Sequence, residues 1–282
     1  MCYKEFIMNR HEDNPNVLVI AGIHGDEIGT IKLAYDLIHK IENEHTTYAH
    51  INKLRILPVA NFEGMRNGSR DQVCDSNDLN RAWDNDRYNA RNVINNLIDD
   101  SDIIIDLHCS ENSDSMFYLD AEMNHLSGII KVLNDNNIHY CIQSTQNDTL
   151  KRLADAKGKI GLTWEQKGLN YLDAETNEKS LDKLYHLLAD VWLMRNEYNK
   201  VNYPKLANFI MNNFEGLYIP TAKLGQFLYK GDTVGYILDM STNKVLEYLV
   251  VSENCRLATQ SYPKYVQHWY PLALLQPISE DK

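Results

Sequence analysis

Hydrophobic and polar positions fall into alternating blocks along the chain. Residues 16–22 (NVLVIAG) are an unbroken, β-branched apolar run closed by glycine, the pattern of a strand buried on both faces. Directly after it, Ile28, Ile31, Leu33, Ala34, Leu37, Ile38 and Ile41 recur at helical spacing, which predicts a strand, a tight turn and a helix. Runs at 54–60 and 102–107 (DIIIDL) repeat the buried-strand type, and shorter strands are predicted at 116–119, 139–142 and 160–164. Helices are predicted near 125–133 and over 181–195, where Leu181, Leu184, Leu187, Leu188, Val191, Trp192 and Met194 share one face. Strands alternating with helices imply an α/β layer fold with a mixed, mostly parallel sheet flanked by helices.

From about Phe214 the texture shifts to short alternating runs punctuated by Pro220, Gly225, Gly231, Gly235 and Pro263, with no amphipathic helix before the end. That pattern predicts a small β-rich domain. The division expected is a catalytic domain over 1–205 and a β-rich domain over 206–282, joined through 199–213.

Composition narrows the function classes. A net charge of −11 repels phosphate backbones and anionic lipid, which argues against nucleic acid as a partner. No run approaches the ~18 consecutive apolar residues of a membrane span, and the first residues lack the apolar core of a secretory signal, so a cytoplasmic protein is expected. Five cysteines without a CxxC pair argue against both a disulfide framework and a thiolate zinc site.

Candidate chemistry gathers where apolar runs end. His24 and Glu27 follow the first buried strand at i and i+3, a spacing that can put both side chains on one metal. The carboxyl ends of strands are where open α/β sheets build their sites. A His and a Glu three apart recur by chance, but His108 closes the DIIIDLH run and is expected at the same rim. Two histidines and one glutamate form a catalytic zinc set, with a fourth position left for water. Glu165 follows the run IGLTW and is expected at that rim too, where a carboxylate can serve as general base.

Residues 61–81 (NFEGMRNGSRDQVCDSNDLNR) are too long and too charged for a simple connection between strands. Arg81 can clamp a substrate carboxylate with its planar fork, and Arg70 can face the oxyanion that develops as water attacks a carbonyl. An acidic protein that binds an anion needs such local positive charge. Cys109, beside His108, and His125, His139 and Trp164 are further candidates by residue type, but nothing local supplies a base for thiolate chemistry, and packing or pocket-lining roles suffice for them.

The order of motifs, HGDE at 24–27, the segment from Asn61 to Arg70, DLNR at 78–81, DLH at 106–108 and TWE at 163–165, resembles the zinc carboxypeptidase superfamily in its aspartoacylase and succinylglutamate desuccinylase branch. The resemblance spans about the first two hundred residues, and the GxxxPxxxLGxxxxKGDxVG texture after Phe214 is similar to the branch's small C-terminal β domain. It implies zinc on His24, Glu27 and His108, Glu165 as general base, and substrate contacts from Arg70, Asn80 and Arg81. The loop departs from the branch by reading NFEG where an Asn-Pro pair is common.

The activity implied is hydrolysis of an amide bond next to a carboxylate, with removal of the acyl group from an N-acyl amino acid as the first expectation. A metallocarboxypeptidase acting on a peptide or cell-wall fragment would use the same machinery in a wider cleft. A non-enzymatic binding protein with a relic site is the third reading, and it conflicts with the joint presence of ligands, base and arginines.

Overall fold

The computed structural model describes residues 2–71, 78–81, 83, 89–110, 115–143, 149–168, 174–198 and 205–278. Residues 72–77, with Cys74, and 199–204 of the expected connection lie outside them.

The first unit is the predicted strand, turn and helix: after an edge strand β1 (Lys4–Ile7) come β2 (Asn16–Ala21) and α1 (Ile28–Glu44). β3 (Lys53–Leu57) follows, then two helices not anticipated from the pattern, α2 (Phe62–Asn67) and α3 (Asn89–Asp99). β4 (Ile103–Ser110) leads to β5 (Met116–Asp120), α4 (Leu126–Asp135) and β6 (Tyr140–Gln143). A further unanticipated helix, α5 (Leu150–Ala156), precedes β7 (Ile160–Lys167), and α6 (Ala174–Asp190) runs into a 3-10 turn over Val191–Arg195.

The seven strands form one sheet in the order β1-β3-β2-β4-β7-β5-β6. β3, β2, β4 and β7 run parallel, whereas β5 and β6 run against β7, and β1 runs against β3. The sheet is thus mixed and mostly parallel, as the alternation of strands and helices predicts.

Because side chains alternate across a strand, each central strand feeds two cores. Val17, Val19 and Ala21 of β2 and Ile103, Ile105 and Leu107 of β4 meet α1, α4 and α6 on one face. Leu18, Ile20 and Ile104 meet Ile94, Leu97 and Ile98 of α3 and Leu150 and Ala154 of α5 on the other. Gly161 lets α5 approach that second face: a Cβ there would lie 2.6 Å from the Lys151 carbonyl oxygen and 2.8 Å from Ala154 Cβ. The second face is the one that matters for function. Along β4 its row runs Ile104, Asp106, His108, Ser110, apolar at the start of the strand and polar at the end.

The remaining strands are β8 (Asn208–Met211), β9 (Gly216–Pro220), β10 (Phe227–Leu228), β11 (Thr233–Asp239), β12 (Lys244–Val250), β13 (Cys255–Gln260), β14 (Lys264–Val266) and β15 (Pro271–Pro277). They make two antiparallel four-stranded sheets, β10-β13-β15-β8 and β12-β11-β9-β14. This β-rich part covers the exposed edge of the main sheet. Ile142 of β6 donates its N–H to Gln276 Oε1 at 2.8 Å and accepts the Ala207 N–H at 2.7 Å. Satisfying these two backbone groups of the edge strand removes them as a template for further pairing. Met116, Tyr118 and Cys141 pack there against Ala258 and Leu274.

Among the described residues no helix is long and apolar enough to cross a membrane, and Cys2, Cys109, Cys141 and Cys255 form no disulfide with one another.

Candidate active site

β4 and β7 do not stop where the apolar runs suggest. Their parallel pairing continues through His108↔Glu165 and Cys109↔Gln166 to Ser110↔Lys167, so His108 and Glu165 lie within strands rather than after them. Laterally paired residues project to the same side of a sheet, and this places Glu165 beside His108 and Thr163 beside Asp106. The rigid ladder fixes the spacing of histidine and carboxylate.

His24 and Glu27 reach the same point from the turn between β2 and α1. Gly25 lets this turn lie against α2: a Cβ there would be 2.2 Å from the Gly64 carbonyl carbon and 2.3 Å from the Met65 nitrogen, both backbone atoms. The Gly25 N–H donates to the Arg70 carbonyl at 3.2 Å. Asn61, buried, caps α2 by accepting the Gly64 N–H at 2.9 Å, and its Nδ2 donates to the same Arg70 carbonyl at 3.3 Å. The loop carrying Arg70 is thereby tied to the turn carrying His24 and Glu27.

His24, Glu27 and His108 are all buried and form one cluster, with a ligand atom from each lying within 4.8 Å of the others. His24 Nδ1 is 2.6 Å from Glu27 Oε1, His108 Nδ1 is 3.2 Å from Glu27 Oε2, and the two Nδ1 atoms are 3.1 Å apart. The opposite ring nitrogens are each held by a carboxylate. His24 Nε2 lies 3.1 Å from Asp78 Oδ1, and His108 Nε2 lies 2.8 Å from Asp106 Oδ2. Glu27 Oε2 also accepts the Cys109 N–H at 3.0 Å.

These contacts set the charge of the site. Burial disfavours the protonated form of His24, but the carboxylates of Asp78 and Glu27 outweigh it and the net shift of its pKa is upward. For His108, burial is likewise outweighed by Asp106 and Glu27, and the pKa lies well above the ordinary value. Burial pushes the Glu27 carboxyl up, yet the two histidines pull it down to about 2. Asp78 is held below the usual carboxylate range because its contacts with His24, the Asn80 amide and Arg70 overcome partial burial. The cluster therefore attracts positive charge to its centre. Two imidazole nitrogens and a carboxylate facing one another, each imidazole braced from behind by a carboxylate, are a donor set that fits a divalent metal ion.

Glu165 stands next to this cluster with its Oε2 buried and without a hydrogen-bond partner among the described residues. Burial, which outweighs the opposing pull of His108, raises its pKa from 4.5 to about 7. A carboxyl poised near neutrality can both take and return a proton. Cys109, beside the cluster, is the opposite case: burial pushes its thiol far above the ordinary range, which leaves it unsuited to thiolate chemistry.

The seven residues singled out in the sequence all come to this place. Six of them, His24, Arg70, Asn80, Arg81, His108 and Glu165, line a cavity of about 270 Å³, with Glu27 buried behind. Arg70 is half exposed at the rim, 3.3 Å from Asp78 Oδ2 and 3.7 Å from Glu27 Oε1. Asn80 is buried, accepting the Leu150 N–H at 2.8 Å with its Nδ2 3.4 Å from His108 Nε2. Arg81 is exposed and donates to the Asn80 carbonyl at 2.7 Å.

Several contributors escaped the sequence reading. Asp78 and Asp106 are the first residues of DLNR and DLH, and the strand period already puts Asp106 on the same side as His108. Tyr118, Gln143, Thr149, Lys151 and Thr163 also line the cavity, and Phe209, Thr259 and Leu274 arrive from the C-terminal sheet that holds β8, β13 and β15. No local motif marks the last three.

The mixed α/β sheet carries at its rim a buried His-Glu-His cluster beside a carboxylate, a site able to hold a metal ion. The chain belongs to the succinylglutamate desuccinylase/aspartoacylase catalytic-domain family, whose model matches residues 13–190 and which is a branch of the zinc carboxypeptidase superfamily. The family is hydrolytic, so the chain is an enzyme of the desuccinylase/aspartoacylase type.

Solved structures share the fold over nearly the whole chain at low identity. The product-bound ectoine utilization protein EutE (DoeB) from Ruegeria pomeroyi is 17% identical with a TM-score of 0.72, covering 94% of this chain and 86% of its own. An aspartoacylase family protein from Mesorhizobium loti is 15% identical with a TM-score of 0.72, covering 99% and 89%. A succinylglutamate desuccinylase/aspartoacylase from Rhodobacter sphaeroides is 18% identical with a TM-score of 0.71, covering 95% and 87%. No curated protein sequence matches the chain.

Proposed function

We propose that the protein is a zinc-dependent hydrolase that removes the acyl group from an N-acyl amino acid, with zinc held by His24, Glu27 and His108. The observation that carries this reading is the buried Oε2 of Glu165, without a hydrogen-bond partner among the described residues and held on a strand in register with His108. Zinc bound there supplies Lewis acidity, which polarises a carbonyl and lowers the pKa of water to about 7.

The chain's own residues supply the rest. Asp78 and Asp106 hold the imidazoles so that both Nδ1 atoms face the centre. Glu165 takes a proton from the attacking water at Oε2 and returns it to the amine nitrogen as the amide bond breaks, without which the amine is a poor leaving group. Arg70, at the rim, faces the oxyanion that forms on the acyl carbonyl. Arg81, with Asn80 beside it, orients the substrate carboxylate through charge-assisted hydrogen bonds.

The cavity's volume of about 270 Å³ favours a small substrate over a peptide, since pockets for drug-sized ligands run to roughly 300–1,000 Å³. Residues 1–205 act in this reading as the catalytic domain, and 206–282 as a β-rich domain whose Phe209, Thr259 and Leu274 complete the wall.

The test is release of free amine from a panel of N-acetyl, N-formyl and N-succinyl amino acids and short peptides. The deacylase reading requires release from at least one N-acyl amino acid. Release from peptides alone selects the carboxypeptidase instead.

A further inference from the structure

The turn over residues 78–81 is held from three sides. Asp78 Oδ1 lies 3.1 Å from His24 Nε2 and accepts the Asn80 N–H at 2.8 Å, and Asn80 Oδ1 accepts the Leu150 N–H of α5 at 2.8 Å. The third hold comes from α3, where Arg91 Nη2 donates to the Arg81 carbonyl at 3.0 Å. The turn is closed by the Arg81 N–H, which donates to the Asp78 carbonyl at 3.0 Å. Each outside hold grips a different residue, so the ties of Asp78 and Asn80 do not depend on Arg91.

Two things disfavour a cation at position 91. Arg91 is only 1% exposed, and arginine is almost never fully buried unless its charge is engaged. It is also the third residue of α3, at the positive end of the helix dipole. Ile94 and Ile98 follow it at i+3 and i+7 on one helix face and pack in the core with Leu18 and Ile20 of β2 and Ile104 of β4. The guanidinium is therefore carried on an anchored helix, and as a charged donor it makes a stronger hydrogen bond to a carbonyl than a neutral group would. What it holds is the residue that the proposed mechanism assigns to the substrate. Any shift of the Arg81 backbone carries its side chain along, and a planar guanidinium fork grips a carboxylate only in a fixed geometry.

We infer, on the reading of Arg81 as the clamp for the substrate carboxylate, that Arg91 is a positioning residue for substrate binding: by holding the Arg81 carbonyl it fixes the point from which the Arg81 side chain meets the carboxylate. Zinc binding and proton transfer lie outside its reach, because the contacts of Asp78 with His24 and of Asn80 with Leu150 are made independently of it.

The test measures kcat and KM for one N-acyl amino acid that the zinc-loaded protein cleaves, in the wild type, Arg91→Met, Arg81→Met and the double variant. Arg91→Met keeps an apolar stem and removes the donors. KM is expected to rise about tenfold with kcat within about twofold of wild type, the sign of lost binding rather than lost chemistry. Zinc content stays at the wild-type level. Because Arg91 acts through Arg81, its loss should add nothing once the clamp is gone: the double variant is expected to match Arg81→Met within about twofold, where independent effects would multiply. A residue that only packs would lower stability and leave KM alone.

Should Arg91→Met fail to fold, Arg91→Gln, polar but with a shorter side chain, takes its place in the same comparison with the same expected result. A folded variant with unchanged KM, a fall in kcat at constant KM, or losses that multiply in the double variant overturns the inference while leaving the deacylase reading intact. Absence of turnover by the wild type on the whole panel of N-acyl amino acids overturns the deacylase reading, and this inference with it.

Discussion

His108 gives its Nε2 to Asp106 Oδ2 at 2.8 Å, which turns Nδ1 toward Glu27 and the centre of the cluster. Asp106 is fully buried on the same strand two residues earlier, so the strand period itself aims the carboxylate at the ring. Replacing Asp106 by Ala frees the ring to rotate and removes the acceptor that raises its basicity. Zinc affinity is expected to fall about 10- to 100-fold, read by competition with a chromophoric chelator. Unchanged affinity in a folded variant would deny Asp106 this role.

Glu165→Gln keeps the shape of the side chain and removes its capacity to take a proton. Turnover is expected to drop by roughly 10² to 10⁴. Zinc content should stay at the wild-type level, because Glu165 neighbours the cluster without belonging to it. Loss of bound zinc in this variant would make Glu165 a ligand rather than a base.

The raised pKa of Glu165 has a signature in the metal-free protein. Its carboxyl titrates near 4.5 when unfolded and at about 7 when folded, so the folded state favours the neutral form. That contribution to stability is complete below pH 4.5 and is lost as pH rises through 7. In the chelated protein, Glu165→Gln should therefore gain stability relative to wild type between pH 5 and pH 8, by up to roughly 3 kcal/mol. Denaturant unfolding at the two pH values measures the difference. A gap that does not widen with pH would show that Glu165 is not desolvated.

Gly25→Ala probes the close approach of the His24 turn to α2. The added methyl would meet backbone atoms at 2.2 to 2.3 Å, and backbone cannot swing aside as a side chain can. The turn must move, and His24 and Glu27 with it. Zinc binding is expected to weaken by at least tenfold, while the sheet, whose cores are built from other residues, stays folded by circular dichroism. Wild-type zinc affinity would mean that the contact with α2 does not position the ligands.

Much of this site is legible in the sequence because its residues sit at the ends of strong apolar runs. The run NVLVIAG and the run DIIIDL each have a β-branched core that fixes the strand, and the strand fixes where His24 and His108 emerge. What the pattern hid has physical causes. α3 reads NARNVINNLID, rich in asparagine, which is a weak helix former, and it folds because Ile94, Leu97 and Ile98 bury against β2 and β4. α5 is short and charged, and its Thr149 cap and the Gly161 cleft that receives it are visible only once the sheet is assembled. The Lys151–Asp120 pair joins positions 31 residues apart on α5 and β5, a distance no local motif spans.

The most direct test of the central claim is the dependence of turnover on zinc for one N-acyl amino acid that the protein cleaves. The account predicts that dialysis against a chelator abolishes amine release, that one equivalent of zinc per chain restores it, and that His108→Ala neither binds that equivalent nor regains activity. Full turnover by protein shown to contain no metal would contradict it.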